Sequence, residues 1–321
     1  MQRGEFDLIA ALLSPLTGGD DRALGLLDDA AVIPQKTGFD TVVSTDTLVA
    51  DVHFLMSEPP DVIARRLLRV NLSDIAAMGA EPFAYFLNLS LPTGTTDEWL
   101  EGFAGGLQID QQQFGLLLLG GDTTRTPGPL VLSVTIFGEA PTGHAVRRGT
   151  ARPGDLVFVS GTIGDAGLGL ARMRDGAGAG DPLVQRYQLP EPRSALGVSL
   201  RDIASAMADV SDGLLADLGH ICTASGVGAR LSASGIPVSD AARSAIGAKG
   251  DGPFGLLTSG DDYELVFTVP PERAQAAREA AETAATRITE IGRLEAGSAV
   301  VTVRDDAGND VTPDIPGYRH F

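Results

Sequence analysis

Phe114-Gly-Leu-Leu-Leu-Leu-Gly-Gly-Asp-Thr-Thr124 is the stretch on which the reading of the fold turns. Its apolar half, Phe114–Leu119, is as long as any apolar run of the chain. It falls far short of the roughly 18 residues a membrane helix needs, and reads as one buried strand over Leu116–Leu119. The polar half sets an aspartate and two hydroxyls directly after that strand, beside two glycines that would let a backbone approach a phosphate closely. Upstream, Thr96–Gln113 has helical spacing, with Thr96 as N-cap ahead of Asp97 and Glu98. Downstream, Leu130–Phe137 reads as another strand. A strand flanked by a helix and a second strand is the signature of an α/β or α+β chain.

The same alternation extends in both directions. Asp40–Thr45 is β-branched and predicts a strand. Pro59–Met78 has helical spacing, with Pro60 near its start and Gly79 after its end. Phe83–Leu91 predicts a strand closed by Pro92. The turn-rich Arg147–Asp155 precedes a new strand at Leu156–Ser160, which places a domain boundary near 140–150 and gives two domains, 1–143 and 144–321. Beyond it, Arg193–Met207, Leu214–Ser225 and Pro271–Ala285 predict helices, and Glu264–Val269 a strand. Asp175–Asp181 predicts a mobile surface loop. There is no internal repeat.

Composition narrows the function. A net charge of −18, from 24 Lys+Arg and 42 Asp+Glu, argues against a nucleic-acid partner. Clustered acids can nevertheless bind Mg²⁺, which can carry phosphates. Lys36 and Lys249 are the only lysines, and neither stands in a G-x-x-x-x-G-K-[ST] sequence, so there is no P-loop. Cys222 is the only cysteine, which excludes a disulfide framework and a cysteine zinc site. Met1–Asp7 carries acids and no basic region before an apolar run, so no signal peptide is expected. A cytoplasmic location without a membrane partner is the default.

Six acidic motifs stand out, all at predicted strand ends or turns except Asn71–Asp74, which falls late in a predicted helix: Leu27–Ala31, Ser44–Thr47, Asn71–Asp74, Gly120–Thr124, Asp209–Gly213 and Ser259–Glu264. Each alone could be a helix cap or an Asx turn, and Asp212 could cap the helix that begins at Leu214. Asp74 is different: within an apolar helical stretch a carboxylate needs a partner or a metal. On residues alone the reading stops at a possible multi-Mg²⁺ phosphate site.

In order and spacing, these motifs together resemble the thiamine-monophosphate kinase family. The likeness runs from Gly4-Glu-Phe6 through Ser44-Thr-Asp-Thr-Leu-Val49, His53-Phe54, Asn71–Ala80, Gly120–Thr123, Asp209–Leu214 and Asp262-Tyr-Glu-Leu265 to Gly317-Tyr-Arg-His-Phe321. Leu27 departs from it, standing where the family has glycine, and Asp261 stands where some relatives have glutamate. The resemblance implies a two-domain fold of the aminoimidazole ribonucleotide synthetase type, whose N-terminal domain dimerises through its strands, with ATP in the cleft. It implies direct transfer of the ATP γ-phosphoryl group to thiamine monophosphate, giving thiamine diphosphate and ADP.

By the same resemblance Asp29, Ser44, Thr45, Asp46, Asp74, Asp122, Asp209 and Asp212 match Mg²⁺ ligands. Gly121, Arg148 and Ser211 match ATP contacts, and His53, Asp261 and Tyr318 match substrate contacts. Asp46, Asp122 and Arg148 are the expected catalytic set. Arg147 is a second candidate, but spacing back from Pro153 favours Arg148. The superfamily also holds aminoimidazole ribonucleotide and formylglycinamidine synthetases, selenophosphate synthetase and a hydrogenase maturation factor. The last two typically place a cysteine near one terminus, which mid-chain Cys222 does not match. A non-catalytic metal- or nucleotide-binding protein is the alternative from another class.

Overall fold

The computed structural model describes residues 5–247 and 253–318. Gly4, Lys249 and Arg319–Phe321, with His320 among them, lie outside the described residues. The chain divides into two compact units. One comprises Met1–Ile75 and Glu81–Gly143; the other comprises Ala76–Ala80 and His144–Phe321.

The first unit opens with the short helix α1 (Glu5–Leu8). It is built on β1 (Phe39–Val49), α2 (Pro60–Ala77), β2 (Glu81–Pro92), α3 (Asp97–Phe114), β3 (Leu117–Thr126) and β4 (Val131–Pro141). The strands form one sheet in the order β1-β4-β2-β3, antiparallel except for the β2–β3 pair. Thr96 caps α3 as expected, accepting the Trp99 N–H at 3.2 Å. Trp99 packs on its own helix, stacked on Phe103 one turn on. A buried carboxylate joins the two long helices: Asp110 of α3 accepts from Arg65 at 3.0 Å and from Arg69 at 2.7 Å. A buried acid paired twice avoids the cost an isolated one would carry.

Two strands outrun their predicted ends. β1 continues through Val49 and β3 through Thr126, so Asp46 and Asp122 stand within strands and not after them. The physical reason is cross-strand pairing: Asp46 is in register with Val134, and Asp122 with Asn88. Polar β-branched residues continue a ladder as readily as apolar ones when a partner strand is alongside.

The second unit contains β5 (Leu156–Ser160), α4 (Asp165–Arg174), α5 (Pro182–Gln188), α6 (Ser194–Leu200), β6 (Ala206–Asp209), α7 (Leu214–Ser225), β7 (Gly228–Ser232), α8 (Asp240–Gly247), β8 (Leu265–Val269), α9 (Ala274–Thr283), β9 (Ile288–Glu295) and β10 (Val301–Arg304). Its six strands run β10-β7-β9-β5-β8-β6. β5 and β8 are buried along their whole length. Alternation sends Val157, Val159 and Val266 to the core on one face with α7, and Leu156, Phe158, Leu265 and Phe267 to the core on the other with α6 and α9. Ala76 and Ala77, at the end of α2, join this second core.

The predicted helix Arg193–Met207 is corrected: helix covers only Ser194–Leu200, and Ala206–Asp209 is a strand. Ala-Met-Ala has good helix propensity, but pairing with β8 buries all three residues and overrides it. Asp175–Asp181 does lie at the surface. Its end is tied down by Asp181, which caps α5 through Leu183 N–H at 2.9 Å and pairs with Arg172 at 2.6 Å.

Candidate active site

In the first unit the candidate side chains fall into two groups. The first sits between β1 and α2. Ser44 and Asp46 share one face of β1, because strand side chains alternate. Ser44 Oγ donates to Asp74 Oδ2 at 2.5 Å, which supplies the partner that Asp74 required. Asp46 N–H donates to Asn71 Oδ1 at 3.1 Å, and Asn71 in turn donates to the Leu67 carbonyl. Asn71 and Asp74 stand three apart on α2, so both reach the same strand. Thr45 points the other way: its hydroxyl donates to the Val134 carbonyl at 3.0 Å and accepts from Thr135.

The second group lines a cavity of about 500 Å³ formed by Asp28, Asp29, Gly120, Gly121, Asp122 and neighbouring apolar side chains. β1 and β3 are the two ends of the sheet order. Three strand spacings, about 14 Å along the sheet, therefore separate Asp46 from Asp122 within one chain. The Gly120-Gly121 pair is demanded first by strand packing. A Cβ on Gly121 would lie 1.8 Å from the Leu87 carbonyl oxygen, and one on Gly120 would lie 2.6 Å from the Phe86 ring. Leu27, where the family has glycine, is 91% exposed and projects away from any core. His53 accepts the Val49 N–H on Nδ1 at 3.0 Å, which fixes the proton of the neutral ring on Nε2.

The second unit gathers the other candidates around one turn, Asp209–Gly213, between β6 and α7. Its carbonyls from Val210 to Asp212 are all engaged. Tyr263 N–H donates to the Val210 carbonyl, Asp261 N–H to the Ser211 carbonyl and Tyr318 N–H to the Asp212 carbonyl, at 2.8, 2.8 and 2.9 Å. These approaches require small neighbours: a Cβ on Gly260 would lie 2.3 Å from Ser211 O, and one on Gly317 would lie 2.4 Å from Asp212 O. Asp212 does not cap α7. The carboxylate that closes the turn is Asp217, whose Oδ2 accepts N–H from both Ser211 and Asp212 at 3.0 Å. Asp212, Asp217 and His220 each offer a ligand atom within 4.8 Å of one another. Burial pushes the Asp217 carboxyl up to about 7, the Asp212 charge adds to this, and the two N–H bonds and Arg148 oppose it.

The segment after this turn is strained and anchored. Asp261 and Tyr263 have φ of 70° and 50°. Such conformations persist at non-glycine residues only where surrounding contacts over-determine them. Between them Asp262 is fully buried and accepts N–H from Gly164 at 2.6 Å and from Ala166 at 3.2 Å. Burial pushes its carboxyl up to about 8. Glu264, also fully buried, is compensated by Ser160, Arg186 and Arg193. Tyr263 Oη reaches Asp261 at 3.3 Å.

Three residues of this region carry no family motif in the sequence: Asp217, His220 and the anchoring Arg193. The available signal was the one applied to Asp74, a carboxylate on an apolar helical stretch, here among Leu214, Leu215, Leu218 and Ile221. Cys222 is buried in α7, which pushes its thiol up to about 11 and leaves it unreactive.

Residues 27–140 match the AIR synthase related protein N-terminal domain, and residues 152–304 match the corresponding C-terminal domain. The thiamine-monophosphate kinase of Caulobacter vibrioides is 48% identical over 320 residues, 98% of this chain and 90% of that one. The chain belongs to the thiamine-monophosphate kinase family. The Escherichia coli K12 family member is 41% identical over 330 residues, spanning 100% of this chain and 99% of its own.

Among solved structures, the thiamine-monophosphate kinase of Stenotrophomonas maltophilia superposes with a TM-score of 0.84 at 41% identity, covering 94% of this chain and 97% of that one. AaThiL complexed with AMPPCP and TMP gives 0.80 at 31% identity, with 99% and 97% covered. The hydrogenase maturation protein HypE of E. coli, at 22% identity and 0.80, shares the fold alone. Family membership and the two-domain AIR synthase type of fold thus agree with the resemblance read from the sequence.

Proposed function

We propose that this chain is an ATP-dependent thiamine-monophosphate kinase that transfers the γ-phosphoryl group of ATP directly to thiamine monophosphate. The observation that carries the reading is the clasped turn of the second unit. Ser211 and Asp212, matched to nucleotide and metal contacts, are hydrogen-bonded through their own backbone to Asp261 and Tyr318, matched to acceptor contacts. The neighbour of the same family complexed with AMPPCP and TMP supports both ligand classes.

The chemistry suits the residues present. The nucleophile is a phosphate oxygen of thiamine monophosphate, ionised at neutral pH, so no general base is required. It attacks the γ-phosphorus, and the bond to the bridging oxygen breaks with its electron pair leaving on ADP. The obstacle is repulsion between two polyanions. Asp29, Ser44, Thr45, Asp46, Asp74, Asp122, Asp209 and Asp212 are proposed to hold Mg²⁺, and their donors are all oxygen, the chemistry that ion prefers. Bound there, Mg²⁺ would neutralise phosphate charge. Arg148 adds a fixed positive charge, and Gly121 and Ser211 contact the nucleotide. His53, whose Nδ1 accepts the Val49 N–H, is proposed to contact the acceptor. Tyr318 and Asp261 offer an aromatic face and a negative charge to the cationic thiazolium.

The protein is further proposed to act in the cytoplasm as a homodimer joined through strands of the 1–143 domain, with 144–321 as the second domain. The exposed β1 face, including Val43 at 53% exposure, supports a partner there. Among the described residues no helix is long and apolar enough to cross a membrane.

The test is product analysis after incubation with ATP, Mg²⁺ and thiamine monophosphate, with free thiamine in a parallel tube. Thiamine diphosphate formed only from the monophosphate, and only with Mg²⁺, is expected. No product in either tube from folded protein ends this reading.

A further inference from the structure

Asp217 lies outside every motif read from the sequence, yet it closes the turn on which the proposed function rests. It is 2% exposed, on the first turn of α7. Side chains on a helix lean toward its N-terminus, so the carboxylate reaches back past Leu214 to amides that precede the helix. There Oδ2 accepts both Ser211 N–H and Asp212 N–H at 3.0 Å. Gly213, at the N-cap, has no side chain to do this. The carbonyls of Val210, Ser211 and Asp212 are already engaged, and Asp217 supplies the acceptor for the Ser211 and Asp212 amides. Without it two part-buried amides lose their acceptor, and the turn would twist to find others.

We propose that Asp217 is a positioning residue for phosphoryl transfer, fixing the Ser211 and Asp212 amides and so the direction in which Asp212 presents its carboxylate to a divalent cation. This rests on the reading of Asp212 as a cation ligand. The role needs an acceptor oxygen at Oδ2 and no charge. Asparagine can supply that oxygen with the same shape; alanine cannot. A direct ligand would instead need the charge, and the 4.8 Å grouping of Asp212, Asp217 and His220 makes direct ligation the competing outcome.

The experiment compares the wild type with Asp217→Asn, Asp217→Ala and Asp212→Asn as purified full chains. Mn²⁺ is titrated and the free ion followed by electron paramagnetic resonance, giving affinity and stoichiometry. Amide hydrogen exchange is measured on peptides spanning 209–213. Asp217→Asn is expected to keep the exchange protection and hold Mn²⁺ within about threefold of wild type, whereas Asp217→Ala loses protection and weakens Mn²⁺ by about tenfold or more. Asp212→Asn loses affinity with protection intact.

If Asp217→Asn weakens Mn²⁺ as much as Asp212→Asn while its amides stay protected, Asp217 acts through its charge and the proposal is overturned. A folded Asp217→Ala with wild-type affinity overturns it too. Should Asp217→Ala fail to fold, Asp217→Asn decides alone. Unchanged affinity in Asp212→Asn is a separate failure, of the cation reading itself, and takes the proposal with it.

Discussion

The two units hold their candidate residues in different ways. In the first, Ser44, Asp46, Asp74 and Asp122 project from long regular elements, and most of their support is local to a strand or to one helix face. In the second, Asp209–Gly213 is a turn whose carbonyls and amides are bonded to Asp217, Asp261, Tyr263 and Tyr318, drawn from a span of more than a hundred residues. Regular elements satisfy their own backbone and leave side chains available for chemistry. A turn cannot do so, and must recruit distant partners. Changes to these side chains of the first unit should therefore affect activity alone, and changes that displace the turn's backbone should affect activity and stability together.

The largest effect expected tests the first half of that contrast. Asp46→Asn and Asp122→Asn should each lower ADP formation dependent on thiamine monophosphate by about 10²-fold or more, because each removes charge that neutralises phosphate in the transition state. Circular dichroism and melting should stay as in the wild type. Near-wild-type turnover in either variant would remove its metal assignment, and a large fall in melting temperature would break the contrast.

Next in size is Gly260→Ala. Its Cβ would meet Ser211 O at 2.3 Å, so the turn must shift. A loss of about 1–3 kcal/mol in denaturant unfolding is expected, together with reduced turnover. Loss of turnover with unchanged stability would make this turn no different from the strands of the first unit.

A smaller effect concerns pH. The Asp262 carboxyl is pushed by burial to about 8, against an ordinary 3.8. Between those values the unfolded chain releases a proton that the folded chain keeps. This group therefore costs the fold nothing below about pH 4, and its cost grows as pH rises toward about 8. Asp262→Asn should flatten the decline of stability measured by urea unfolding across about pH 5–8. An unchanged slope would mean that the Gly164 and Ala166 N–H bonds already hold Asp262 ionised.

The smallest expected difference lies within a single strand. Thr45→Val should alter turnover by less than about threefold, because its hydroxyl bonds the Val134 carbonyl on the opposite face from Asp74, so that its proposed contact with Mg²⁺ would use the backbone carbonyl, which valine keeps. Ser44→Ala should cost more, since it leaves Asp74 without its 2.5 Å donor. Equal effects would show that the pleat does not sort these side chains.

The legible part of this protein was its pattern of period and punctuation. Apolar runs, helical spacing and turn residues placed β5 and α7 where they occur, and the order of the acidic motifs carried the family. A carboxylate on an apolar helical stretch must be partnered, which singles out Asp74 in the sequence, and Ser44 is a partner it has. These are local properties, set by dihedral preference and by what one side chain needs.

Tertiary structure alone decided the rest. Ala206–Ala208 became a strand because β8 lay alongside. Asp46 and Asp122, each in an acidic motif of the first unit, stand at opposite ends of one sheet because strand order follows long-range pairing. The clasp joins the backbone groups of Ser211 and Asp212 to the Asp217 carboxylate and to the Asp261 and Tyr318 amides, and folding alone brings the last two segments to the turn. Every residue but proline carries the same backbone donor and acceptor, so sequence carries little mark of which amide will meet which carbonyl.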